Sequence, residues 1–78
     1  MALNAFIQFI MQPRPSDRKT DTWYVAPTAG GSILGQVKFH GAWRKYCFFP
    51  KDETLYDPGC LRAIADFCET QTLNWRQS

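Results

Sequence analysis

A helix start at Asp57 and Pro58 divides this 78-residue chain into two parts with different periodicities. Aspartate at an N-cap accepts hydrogen bonds from the unpaired amides of the first turn, and proline at the next position already has a helical φ. After this pair, apolar residues recur at the spacing of an amphipathic helix. That stripe consists of Leu61, Ile64, Ala65 and Cys68, widened by Phe67. The helix is predicted to end near Leu73, with Trp75 folding back onto the domain.

Before Asp57, apolar and polar residues alternate with the period of two that is typical of strands. Strands are predicted over residues 3–12, 22–27, 33–40 and 43–49. Pro13 and Pro15 break the chain after the first strand, Gly30 and Gly31 supply the next turn, and the last two strands turn around Gly41. For residues 3–12 a helix is the competing interpretation, because no run of β-branched residues dominates.

These elements predict an α+β fold, with an antiparallel sheet of three or four strands and one C-terminal helix packed on one face. Short connections favour a meander in the order β-β-β-β-α, although the order of strands across the sheet stays open. Residues 1–78 are expected to form a single small domain. A chain this short buries only about 60% of its unfolded surface. Self-association is therefore expected to supplement the core.

The hydrophobic pattern of the last two strands predicts their register. Pairing Phe39 with Trp43 gives one mainly apolar face and one face that mixes cationic and aromatic residues. The second face is the predicted binding surface, formed by Lys38, His40, Arg44, Tyr46 and Phe48. Such a surface suits a protein partner or base stacking with phosphate contact. In the structural alternative, the aromatic rings pack beneath the 13–21 loop and the stems of Lys38 and Arg44 cover them.

The loop after the first strand carries three cations, Arg14, Arg18 and Lys19. They would extend a basic patch if they converged with the cations of the strands, but Asp17 and Asp21 would dilute it. Solvated surface charge is the favoured interpretation of this loop. The net charge of +2 offers little affinity from counterion release, so a protein partner is favoured over nucleic acid.

The spacing of histidine and cysteine argues against metal, cofactor and catalytic sites. His40 is the only histidine, and Cys47, Cys60 and Cys68 form no C-x-x-C pair. Cys60 and Cys68 lie about 12 Å apart along one helix, too far for a disulfide. The N-terminus lacks the features of a secretory signal, and no apolar run is long enough to span a membrane. Reduced thiols in a cytoplasmic protein are therefore expected.

Several short motifs together carry a resemblance. They are Arg18-Lys19-Thr20, Trp23, Leu34-Gly35 with Val37, Trp43-Arg44 with Tyr46, Phe48 and Pro50, and Cys60-Leu61 with Ile64 and Phe67. In these motifs the chain resembles small uncharacterised proteins of bacteriophages and other mobile elements, over most of residues 6–70. That family has no settled activity, so the resemblance implies a genomic setting and favours an accessory interaction protein.

The sequence thus predicts a non-enzymatic accessory binding module that presents the predicted binding surface to a protein partner or to itself, as a homo-oligomer. The alternative is a single-stranded nucleic-acid-binding protein. An enzyme would require a composite site formed at an oligomer interface. No membrane interaction is expected.

Overall fold

A computed structural model of the protein describes residues 6–78, which form four strands followed by one helix. The elements are β1 (Ile7–Met11), β2 (Thr22–Pro27), β3 (Gly35–His40), β4 (Lys45–Pro50) and α1 (Pro58–Gln77). All neighbouring strands are antiparallel, and their order in the sheet is β1-β2-β3-β4. The predicted α+β meander with a C-terminal helix is confirmed, and its sheet has four strands. Residues 3–5 of the predicted first strand lie outside the described residues.

Helix α1 lies on one face of the sheet, and aromatic side chains fill the space between the two layers. The helix runs nearest to β4 and reaches β1 through Phe67, whose ring stacks on Phe9 with 4.0 Å between the centroids. Trp23 meets Phe67 edge-on at 5.1 Å. The buried core consists of Ile7, Trp23, Val25, Val37 and Tyr46 from the strands, and Ala63 and Ile64 from the helix. The core is therefore one-sided, between the sheet and α1.

The helix begins as predicted but presents a different face to the sheet. Asp57 is the N-cap, and its Oδ1 accepts a hydrogen bond from the Cys60 amide at 2.8 Å. Leu61, predicted to be buried, is 51% exposed, whereas Ile64 is 5% exposed. The predicted stripe is confirmed at Ile64, Phe67 and Cys68, which lie in or against the core, and wrong at Leu61 and Ala65, which are exposed. The inward face is thus rotated toward Cys60 and Ala63. The core-facing residues of α1 are Cys60, Ala63, Ile64, Phe67, Cys68, Thr72 and Trp75.

The helix also continues past Leu73 to Gln77, so Trp75 lies within it. The Trp75 ring packs on Phe39 of β3, with 4.6 Å between the centroids. The contact that was predicted for a returning tail is thus made by the last turns of α1 itself. The helix is longer than predicted because Trp75 buries its apolar area on the sheet only when the helix extends to this residue.

The register of β3 and β4 differs from the prediction by three residues. Phe39 pairs with Tyr46, not with Trp43, because residues 41–44 form the turn and β4 starts at Lys45. Side chains alternate between the faces of a strand, so a shift by an odd number inverts β4 relative to β3. Arg44 takes a positive φ of 55° at the end of this turn. The prediction that Tyr46 and Phe48 share a face with Lys38 and His40 is therefore wrong.

Candidate binding surface on the open sheet face

The structure separates the five residues of the predicted binding surface. Lys38 and His40 lie on the sheet face turned away from α1, which we call the open face. Tyr46 is 8% exposed and belongs to the core, and Phe48 packs against that core. The guanidinium of Arg44 lies on the helix side, with its Cζ 5.4 Å from the centroid of the Trp75 ring. Both rings thus lie on the helix side of the sheet, Tyr46 buried and Phe48 partly buried against Tyr56, and not beneath the loop as in the structural alternative.

Two other aromatic residues occupy the open face beside Lys38 and His40. The Lys38 Nζ lies 4.6 Å from the centroid of the Phe49 ring. The His40 ring meets Trp43 edge-on, with 4.8 Å between the centroids, and lies 6.2 Å from Phe49. Phe49 is 36% exposed and Trp43 is 67% exposed. We call Lys38, His40, Trp43 and Phe49 the open-face cluster.

The loop between β1 and β2 adds one cation to this surface. The Nη1 of Arg18 donates a hydrogen bond to the Thr22 hydroxyl at 3.2 Å, and Thr22 is the cross-strand neighbour of Lys38. An open depression of about 410 Å³ lies here. It is lined by Arg18, Thr20, Thr22, Lys38, Phe39, His40 and Phe49.

The other two cations of the loop turn away from the open face. Arg14 donates from Nη1 to the carbonyl of Lys19 at 3.1 Å, and its Nε lies 3.6 Å from a carboxylate oxygen of Asp21. Arg14 and Lys19 line a separate depression beside Trp75 at the end of α1. The predicted basic loop therefore does not converge as one patch, in agreement with its interpretation as surface charge.

Charge is distributed unevenly around the sheet. None of the described strand residues is an aspartate or a glutamate. The carboxylates lie instead in the loops and on α1; Asp17, beside Arg18 in the chain, is an exposed loop residue. The open face thus combines positive charge with aromatic rings. It suits a ligand that offers negative charge next to apolar or planar groups.

Neither thiol chemistry nor a metal site is favoured by the arrangement of cysteine and histidine. Cys47 shares the open face with His40, but its thiol contacts the Lys45 carbonyl at 3.8 Å while the imidazole packs on aromatic rings. Burial raises the pKa of the Cys68 thiol to about 11, so this group is protonated at neutral pH. Among residues 6–78, no three histidine, cysteine or acidic side chains lie close enough to hold a metal ion.

The burial of Tyr46 has an electrostatic consequence. Burial raises the pKa of its phenol, and the backbone amide of Asp21 opposes part of that rise. Its ring meets both Trp23 and Phe39 edge-on, at centroid distances of 5.7 and 5.4 Å. Tyr46 therefore acts as a core residue and not as a ligand contact.

Comparison of the chain with protein-family models, with curated proteins and with solved structures found no significant match. The resemblance to proteins of bacteriophages and mobile elements therefore stays a prediction. Residues 6–78 include no helix with both the length and the apolar character that membrane crossing requires.

Proposed function

We propose that the protein is a non-enzymatic accessory binding module whose open face binds a protein partner. The observation that carries this proposal is the open-face cluster, where an exposed Trp43 stands beside His40 and Phe49. Tryptophan and arginine side chains dominate the energetics of many protein interfaces, and an exposed tryptophan offers a large apolar area. Arg18 lies at the other end of the same surface.

The charges of this surface favour a partner that places a carboxylate next to an apolar side chain. Arg18 donates one hydrogen bond to Thr22, and a guanidinium has five N–H donors, so it retains donors for a carboxylate. Hydrogen bonds between a guanidinium and a carboxylate are about twice as strong as neutral ones. The absence of acidic residues from the described strands removes repulsion of such a partner.

Single-stranded nucleic acid is the second candidate, since cations beside exposed rings also suit phosphate contact with base stacking. The number of cations decides against it as the leading candidate. Each phosphate contact on a single strand contributes about 0.7 to the slope of log affinity against log salt. Arg18 and Lys38 would together give a slope of only about −1.4, which corresponds to weak electrostatic binding.

We further propose that the protein is cytoplasmic and is encoded by a mobile genetic element. The cytoplasmic location is supported by the three cysteines, Cys47, Cys60 and Cys68, which no disulfide joins. The mobile-element origin rests on the resemblance of the sequence. An accessory interaction protein is consistent with this origin and with a cytoplasmic location.

Selection from a random peptide library tests the class of partner, whichever protein the natural partner is. The immobilised full chain is expected to enrich peptides with an acidic residue next to an aromatic or aliphatic one. Binding of an enriched peptide should fall at least about tenfold in Trp43→Ala and in Arg18→Gln, since hot-spot contacts of this type contribute about 2 kcal/mol or more. Oligo(dT) should bind more weakly than this peptide at physiological salt.

Two variants on the helix side serve as controls, Arg14→Gln for Arg18→Gln and Leu73→Ala for Trp43→Ala. Both residues are exposed and lie away from the open face. Both control variants should bind the enriched peptide as the native chain does. Equal losses in control and open-face variants would contradict the proposed surface. Tighter binding of oligo(dT), lost in Lys38→Gln, would replace the protein partner with nucleic acid.

A further inference from the structure

The two outer edges of the sheet are built differently. On β4, the backbone amide of Tyr46 donates to the Thr72 hydroxyl of α1 at 2.9 Å. The same strand starts with a lysine and ends with a proline, Lys45 and Pro50. A covering helix, a charged side chain and a proline are all devices that prevent an edge strand from pairing with another chain.

Within residues 6–78, edge strand β1 shows none of these devices. It reads Ile7–Met11, with neither a charge nor a proline, and no other described strand lies on its outer side. Phe6, Ile10 and Met11 at this edge are exposed, Met11 by 57%. An uncharged, apolar edge strand is a template for the addition of another strand.

The hydrogen bonds of β1 to β2 determine which of its backbone groups point outward. The Phe6 carbonyl accepts from the Thr28 amide at 3.0 Å, and the Gln12 amide donates to the Thr22 carbonyl at 2.8 Å. In an antiparallel ladder, residues that point toward the neighbouring strand alternate with residues that point away from it. Even-numbered residues therefore point to β2, and the N–H and C=O groups of Ile7, Phe9 and Met11 point to the outer edge.

We propose that β1 pairs antiparallel with β1 of a second copy of the chain, about a two-fold axis at Phe9. Ile7 of one copy then lies opposite Met11 of the other, and Phe9 lies opposite Phe9. In this register the outward N–H and C=O groups of Ile7, Phe9 and Met11 face the same groups of the second copy. They form up to about six backbone hydrogen bonds. The product is one continuous sheet that contains both copies.

The side chains of β1 favour a second copy over a different chain. In the proposed register, apolar Ile7 meets apolar Met11 on the helix side, while Gln8 meets Ile10 on the open side. A two-fold axis gives both partners the same charges, so a charged strand would place like charges near each other. A strand without charges avoids this repulsion and therefore favours self-pairing. A pairing of five residues belongs to small interfaces, below about 1,200 Å², so dissociation on dilution is expected.

Sedimentation velocity over a range of concentrations tests this inference. The native chain should shift from monomer to dimer as concentration rises, whereas Met11→Lys should stay monomeric. Leu73→Lys is the matched control, because Leu73 is similarly exposed but lies on α1. It should dimerise as the native chain does. A native chain that stays monomeric at millimolar concentration, or a dimer that Leu73→Lys disrupts, would overturn the proposal.

Cross-linking tests the register and remains decisive if Met11→Lys fails to fold. Gln8 and Ile10 of the other copy form a pair without hydrogen bonds between them, where Cα atoms lie about 4.5 Å apart, within the range of a disulfide. A mixture of Gln8→Cys and Ile10→Cys chains should therefore form a mixed disulfide faster than either variant alone. The native chain, with its own thiols, supplies the baseline. The absence of any preference for the mixed pair would contradict this pairing, and so would a loss of dimer in Trp43→Ala, which changes only the open face.

Discussion

The hydroxyl of Thr72 joins helix α1 to strand β4. It accepts a hydrogen bond from the Tyr46 amide at 2.9 Å and donates one to the Cys68 carbonyl at 2.8 Å. Thr72 and Tyr46 are both buried. An amide on the outer edge of a sheet has no strand to pair with, and beneath a helix it cannot reach water. The Thr72 side chain thus pairs the outward Tyr46 amide of β4 and connects the helix to this strand.

Replacing Thr72 by valine keeps the shape of the side chain and leaves the Tyr46 amide unpaired. We expect the free energy of unfolding to fall by about 1–3 kcal/mol, the cost of a buried donor without a partner. Urea denaturation measures this loss. Thr70→Val, the same change two residues earlier on α1, should cost less than about 0.5 kcal/mol. Similar losses at the two positions would contradict the role of this hydrogen bond.

The rotation of α1 predicts unequal effects for Ile64 and Leu61. Truncation of buried Ile64 to alanine should cost about 2–5 kcal/mol, because it removes apolar contacts and leaves a cavity. Leu61→Ala removes an exposed side chain and should cost less than about 1 kcal/mol. Thermal melts of the two variants compare them directly. Similar, large losses at the two positions would instead support the predicted stripe, in which both residues are buried.

Gly35 allows the close approach of β4 to β3. A Cβ atom at this position would lie 2.5 Å from the carbonyl oxygen of Phe49 and 2.8 Å from the ring of Phe48. We expect Gly35→Ala to destabilise the fold by about 1–3 kcal/mol, as overpacking does. Gly41→Ala is the control, since a Cβ there would meet no atom within 4 Å. Chemical denaturation should find Gly41→Ala near the native value, and equal stability of Gly35→Ala would argue against this β3–β4 register.

The N-cap of α1 predicts a pH dependence of stability. The hydrogen bond from the Cys60 amide holds the pKa of Asp57 below its usual value. Because the pKa is lower in the folded chain than in the unfolded chain, this carboxylate stabilises the fold above its unfolded pKa. That contribution is lost as the pH falls through the folded pKa. Asp57→Asn keeps a capping oxygen without the titration.

Urea unfolding between about pH 7 and about pH 3 tests the cap, a range that spans the usual titration of aspartate. The native chain should lose more stability on acidification than Asp57→Asn does. Parallel pH profiles for the two chains would show that Asp57 does not contribute through its charge.

The fold was predictable because its signals are local. Asp57 and Pro58 determine a helix start without reference to the rest of the chain, and the period of two in the first 50 residues survives errors at strand ends. Because the apolar faces of these elements must be buried and the connections between them are short, few arrangements remain other than a meander with a helix on one face. The boundaries differ by a few residues, and these differences do not alter the topology.

The candidate site was harder to predict because it depends on one turn. The predicted turn ends at Ala42, whereas the observed turn ends at Arg44, which has a positive φ. This difference turns Tyr46 and Phe48 to the helix side and places Phe49 on the open face. The alternation of β4 itself does not distinguish the two registers, since aromatic residues occupy both of its faces. Gly35 does not supply the missing signal either, because it lies beside an aromatic residue of β4 in both registers, Phe49 in the predicted one and Phe48 in the observed one.

Hydroxyl-radical footprinting read by mass spectrometry tests the central claim most directly, since it compares aromatic residues on both sheet faces. In the free chain, Trp43 and Phe49 should be modified fast, Tyr46 should be protected in the core, and Phe48, partly buried against Tyr56, should react more slowly than Phe49. Addition of the peptide selected on the native chain should then protect Trp43 and Phe49 and leave Leu73 unchanged. Fast modification of Tyr46 and Phe48, with Phe49 protected in the free chain, would contradict the assignment of the open face.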